Sequence, residues 1–134
     1  MQHYPLAALA TLLALLTYFA AIQRVGKARE RFNIVAPAVT GHAEFERSYR
    51  VQMNALEWLP IFLVSLWLFA IYWSDWLAAL LGLVWIIGRI IYMLAYTKDP
   101  ATRSTGFLIQ LAATAVLFFG ALGKVIWVAV ALRL

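Results

Sequence analysis

Arg47, Arg50, Asn54 and Glu57 recur at spacings of three, four and three in the run FERSYRVQMNALEWLPIF. On an α-helix that spacing sets all four on one face. The run continues into strongly apolar sequence, and charge held at such depth costs several kcal/mol unless it is paired or faces a bundle interior or a wet cavity. A second stripe, Arg89, Tyr92 and Tyr96, repeats at three and four. If the two helices form a hairpin turning near Trp73, Glu57 lies level with Arg89, Asn54 with Tyr92, and Arg50 with Tyr96. Glu57 and Arg89 then read as an ion pair gluing two helices, since pairing offsets much of their desolvation. Arg50 has no acid at its own depth and reads as a holder for an anionic ligand. Asp99 followed by Pro100 reads as the N-cap and first residue of a further helix. That puts Arg103 in its first turn, where the helix dipole also favours an anion. With Arg50 and the arginines of the first connection, Arg103 would close a basic, tyrosine-lined pocket for a small, multiply anionic, water-soluble ligand.

The elements that must position these groups follow from composition. The 134 residues are 65% hydrophobic and 13% charged, against about 45–50% and about 25% in soluble domains. A soluble enzyme, a disordered tail and a nucleic-acid binder all fit badly. Apolar stretches at about Pro5 to Ile22, Ala55 to Trp73, Trp76 to Ala95 and Phe107 to Leu132 give an all-α, integral membrane four-helix bundle. Its spans are expected at about 5–23, 47–73, 76–97 and 100–132 of a single 1–134 domain. Met1 to Pro5 holds no Lys or Arg, so the first stretch reads as a permanent helix rather than a signal peptide. Pro60 is expected to bend the second helix.

The net charge of +5 is unevenly placed. Arg24, Lys27, Arg29, Arg31, Arg47, Arg50, Lys98 and Arg103 sit at or near the first and third connections, while the second holds only Asp75. The positive-inside rule therefore sets those two connections in the cytoplasm and both termini on the opposite side, with Tyr72, Trp73, Trp76 and Trp127 as an outer interfacial belt. The first connection, about Arg24 to Glu46, is expected to be long and charged. There is no cysteine, so any sulfur chemistry must arrive with a ligand. His3 and His42 have no carboxylate cluster beside them, and no metal site is expected.

The run FERSYRVQMNALEWLPIFL, with KAR and PAVTG upstream and GRIIY, Tyr96 and Arg103 downstream, resembles the membrane-associated proteins in eicosanoid and glutathione metabolism. It is most similar there to the branch of the microsomal glutathione transferases of the second and third type and the cysteinyl-leukotriene synthase. The resemblance implies a homotrimer that binds glutathione between subunits near the cytoplasmic side. Arg50, Gln52, Asn54, Glu57, Trp58, Tyr92 and Tyr96 would hold the tripeptide, Arg29 would reach it from an adjacent subunit, and Arg103 would face the thiol. Two positions depart from the pattern. Trp58 stands where members have a tyrosine and can donate but not accept a hydrogen bond; Glu30 stands where the leukotriene-forming member has an arginine.

The implied chemistry is thiol activation. A guanidinium beside the sulfur lowers the thiol pKa, and the thiolate attacks a lipophilic electrophile or a lipid hydroperoxide presented from the membrane lipid. Two rivals remain: a non-enzymatic lipid-binding member of the same family, and a small four-span transporter. Retention of Arg50, Asn54, Glu57, Tyr96 and Arg103 argues against the first, and the absence of an acid in the first span against the second. Gly120 and Gly123 read as packing residues of the last helix.

Overall fold

The computed structural model describes residues 3–133; Met1, Gln2 and Leu134, which the expected 1–134 domain includes, lie outside them. Four helices, α1 (Pro5–Phe32), α2 (Ala43–Tyr72), α3 (Asp75–Lys98) and α4 (Ser104–Ala131), follow one another, with a 3-10 turn at Pro100–Thr102 before α4. All four helical segments are long and apolar enough to cross a bilayer. α2 and α3 form a central hairpin that packs against both α1 and α4.

α1 does not stop where its apolar run stops. Lys27, Ala28, Arg29, Glu30 and Arg31 are strong helix formers, and basic charge suits a helix C-terminus. The helix continues through them to Asn33, which adopts the left-handed conformation (φ 55°) as its C-cap. Most of the charged segment expected in a long first connection is therefore helical, and the connection shrinks to residues 33–42. Polarity along α1 is inverted relative to a soluble helix. Its buried positions are Ala7, Ala10, Ala14, Ala21 and Val25, while Leu9, Leu12, Leu16 and Phe19 point outward. Small residues let α1 approach the hairpin closely, and the leucines meet lipid.

The middle of the bundle is filled by Phe62, Leu66, Trp85, Ala113 and Leu117, with the Phe62 and Trp85 rings stacked at 4.0 Å. α2 runs through Pro60 without interruption. α3 and α4 cross closely enough that a Cβ on Gly88 would lie 2.7 Å from the Gln110 backbone nitrogen, and one on Gly106 would lie 2.7 Å from the Gly88 carbonyl oxygen. These two glycines, which the sequence reading passed over, set the approach of the helices that carry Tyr92 and Arg103. Of the two expected to pack, Gly120 does, against the Phe69 ring; a Cβ on Gly123 would meet open space.

At the opposite end Ser74 caps α3, its hydroxyl accepting from the Leu77 N–H at 3.0 Å. Tyr72, Trp73, Trp76 and Trp127 are exposed there, and the Lys124 ammonium sits over the Trp73 and Trp127 rings at 4.8 and 4.6 Å. Asp75 reaches across to α1, accepting from the Leu6 and Ala7 N–H groups at 3.1 and 2.8 Å. It thus satisfies orphan donors of another helix and clamps that end of the bundle. Asp75→Ala is expected to destabilise the protein by about 1 kcal/mol, the usual cost of a lost N-cap. A thermal unfolding midpoint in detergent equal to that of the parent would count against this clamp.

Candidate functional site

A cavity of about 380 Å³ opens between α2, α3 and α4, lined by Asn54, Tyr92, Arg103, Ser104, Phe107 and Leu108. α2 supplies the amide, α3 the buried tyrosine, and the start of α4 the guanidinium. Tyr92 stacks on Tyr96 at 5.5 Å, and the Arg103 guanidinium lies 5.9 Å from the Tyr96 ring while donating to the Pro100 carbonyl at 3.0 Å. Trp58 reaches the same group edge-on, its ring 5.8 Å from that of Phe107. Asn54, Trp58, Tyr92, Tyr96 and Arg103, named as site residues from sequence, therefore converge on one side of the chain. Ser104, Phe107 and Leu108 complete the lining without having been named. Phe107 follows Arg103 by four residues and so shares its helical face, a signal that was readable.

The polar stripe of α2 pairs differently from the depth-matched scheme. Arg89 is buried at 2% exposure and donates to Asn54 Oδ1 at 2.6 Å and to the Val51 carbonyl at 3.3 Å. Its guanidinium also covers the Tyr92 ring at 4.5 Å. Glu57 is exposed and does not pair with Arg89; among the described residues the ion pair found is Arg31 with Glu44, at 3.3 Å. The reason is rotational. At about 100° per residue, Glu57 lies roughly 60° round α2 from Asn54, on the side away from the buried Val51, Ala55 and Phe62. Arg50 is displaced the same way and is exposed without a partner among the described residues. Arg50 and Glu57 thus lie one turn before and one turn after Asn54 on the exposed side of α2, outside the cavity lining.

Two expected site residues face elsewhere. Gln52 lies two residues from Asn54, roughly 200° round α2, and cannot turn into the same cavity. Arg29 is folded onto its own connection, donating to the Ala38 carbonyl at 2.7 Å and lying 4.8 Å over the Phe45 ring. The start of α4 also differs from expectation. Asp99 caps the 3-10 turn through the Ala101 N–H at 3.1 Å, and α4 begins at Ser104. Arg103 is the N-cap residue of α4 rather than a member of its first turn. Nor do the arginines of the first connection close this cavity: Arg24 and Arg31 line a separate groove between α1, α2 and α3.

With a polar stripe, tyrosines and an arginine gathered at one end of a four-span bundle, comparison with known proteins is decisive. The model of the MAPEG family matches residues 5–123. The chain belongs to the MAPEG family. Microsomal glutathione S-transferase 2 of Homo sapiens is 44% identical to it over 119 residues, covering 88% of this chain and 80% of that protein. Leukotriene C4 synthase of Bos taurus is 39% identical over 98 residues, covering 73% and 65%. An uncharacterized protein of Synechocystis sp. is 43% identical over 120 residues, covering 90% of this chain and 88% of that protein. The resemblance carried by FERSYRVQMNALEWLPIFL is thus the family found. Four apolar helices and MAPEG membership together make the chain a multi-pass integral membrane protein.

Proposed function

We propose that this MAPEG protein is a glutathione transferase of the membrane, assembled as a homotrimer that holds glutathione between neighbouring subunits. The observation that carries the reading is the convergence of Asn54, Tyr92 and Arg103 on one cavity, with Arg50 and Glu57 exposed one turn to either side of Asn54 on α2. A guanidinium, a carboxylate and amide groups suit a zwitterionic peptide with two carboxylates. Relatives that include Microsomal glutathione S-transferase 2 support the same ligand. Gln52 and Arg29 face away from the cavity of their own chain, so they could meet that ligand only across an interface; this supports the trimer.

In this scheme Arg50 and Arg29 bind carboxylates, Asn54, Gln52, Tyr92 and Tyr96 fix the peptide, Glu57 accepts from its amine, and Trp58 buttresses Phe107. Arg103 would face the thiol and favour its ionised form. The thiolate forms a carbon–sulfur bond with a lipophilic electrophile as the leaving group departs, or attacks the terminal oxygen of a lipid hydroperoxide. In the second case the O–O bond breaks, the lipid leaves as its alcohol after taking a proton, and a second glutathione converts the resulting sulfenic acid to glutathione disulfide and water. Fixing glutathione beside an electrophile delivered by the bilayer adds the proximity contribution. The basic first and third connections would lie in the cytoplasm, with both termini opposite.

Two measurements test the reading. Calorimetry in detergent should show glutathione binding, and its absence would overturn the proposal whatever the fold. Glutathione consumption with an aryl halide and with a lipid hydroperoxide should show turnover with at least one, and their ratio assigns transferase or peroxidase as the main activity.

A further inference from the structure

The groove between α1, α2 and α3 shares no lining residue with the Asn54–Tyr92–Arg103 cavity. It is larger, about 790 Å³, and within the span of small-molecule sites, about 300–1,000 Å³. Arg24, Lys27, Arg31, Arg47 and Lys98 line it, against one carboxylate, Glu44. Glu44 is taken by Arg31. Arg24 donates to the Thr97 hydroxyl at 3.0 Å and Arg47 to the Lys98 carbonyl at 3.3 Å, both neutral acceptors. The Lys27 and Lys98 ammonium groups have no partner among the described residues. Four cations therefore face one groove with their charge uncompensated, an arrangement that costs free energy through mutual repulsion unless an anion joins them.

Its position along the bundle identifies the anion. Thr97 lies 22 residues beyond Asp75 on the same helix, about 33 Å at 1.5 Å per residue, close to the hydrocarbon thickness of about 30 Å. On α1 the apolar run gives way at Gln23 and Arg24. The cations thus stand at headgroup depth, while Ala28, Phe32 and the exposed Leu94 add apolar wall to the same groove. Basic pockets between spans at this level suit lipid phosphates. We infer that this groove binds the phosphate headgroup of an anionic membrane lipid, with the first part of an acyl chain against Leu94. The site is independent of the glutathione reading.

Native mass spectrometry of the detergent-solubilised protein, titrated separately with short-chain phosphatidylglycerol, short-chain phosphatidylcholine and inorganic phosphate, tests it. Phosphatidylglycerol should bind and phosphatidylcholine should not. Lys27→Gln/Lys98→Gln removes two charges that make no internal bond, and should weaken phosphatidylglycerol binding about 30-fold. The equal charge change Lys124→Gln/Arg133→Gln, at the other end of the bundle, should leave that binding unchanged. Equal binding of both lipids, undiminished binding by Lys27→Gln/Lys98→Gln, or equal loss in the two double variants would overturn the inference. Displacement of phosphatidylglycerol by an equal concentration of inorganic phosphate would also overturn it, since the groove would then be a site for soluble phosphate.

Discussion

Arg103→Gln is expected to remove most of the thiolate absorbance of bound glutathione and to lower turnover by about 100- to 1,000-fold, the cost of losing one positioned charge stabiliser. Binding of glutathione itself should change far less. The expectation rests on placement: Arg103 lines the cavity beside Tyr92 and Asn54, and among the described residues its guanidinium donates to a backbone carbonyl at the helix junction. No carboxylate neutralises it among the described residues, so its charge is available to an anion. A free thiol ionises near pH 8.5, and without the guanidinium the reaction rate should climb as pH rises toward that value. Arg103→Lys keeps a charge without the planar fork and should retain part of the thiolate signal. Matching losses of binding and turnover in Arg103→Gln would make this residue a ligand holder, and an unchanged thiolate signal would remove it from the chemistry altogether.

The legible parts of this protein were those written in one-dimensional periodicity. Four apolar runs announced four helices, and the three–four–three stripe marked the end of α2 where polar groups gather. What sequence could not resolve was rotation and reach. The depth-matching scheme used distance from the turn at Trp73 and ignored which way each residue points round its helix. It therefore assigned Arg89 to Glu57, although Asn54 is the group turned inward. The Arg89 side chain is long enough to cross the difference in level and take Asn54 Oδ1. Helix length was misjudged for another reason. Hydropathy reports where a chain leaves lipid, not where its backbone hydrogen bonds stop, and the charged turns after Gln23 are helical because their residues are good helix formers. The same oversight hid the α1–α2–α3 groove, since Arg24, Lys27 and Arg31 converge only once they share a helical face.

Asn54→Leu tests the pairing that replaced the expected one, and its effect on stability should be large. Arg89 is buried, and among the described residues its hydrogen bonds go to Asn54 and to the Val51 carbonyl. Hydrogen bonds to charged groups contribute about 1.5–3 kcal/mol, and leaving the charged donor unsatisfied adds a desolvation penalty. Asn54→Leu should therefore destabilise the protein by about 3 kcal/mol in a denaturant titration in mixed micelles. Replacing both partners is a different matter, because an apolar pair of similar shape leaves no orphaned charge. Asn54→Leu/Arg89→Leu should accordingly be more stable than Asn54→Leu alone. Glu57→Gln, at an exposed position of α2, should stay within about 0.5 kcal/mol of the parent, as surface substitutions usually do. If Glu57→Gln proves as damaging as Asn54→Leu, and exchanging Glu57 with Arg89 restores stability, the depth-matched ion pair is right and the Asn54–Arg89 contact is wrong. The cycle also separates the two roles of Asn54. Its stability effect depends on Arg89, whereas any effect on glutathione affinity should persist in the double variant, where the amide is equally absent and the helix pair is repaired.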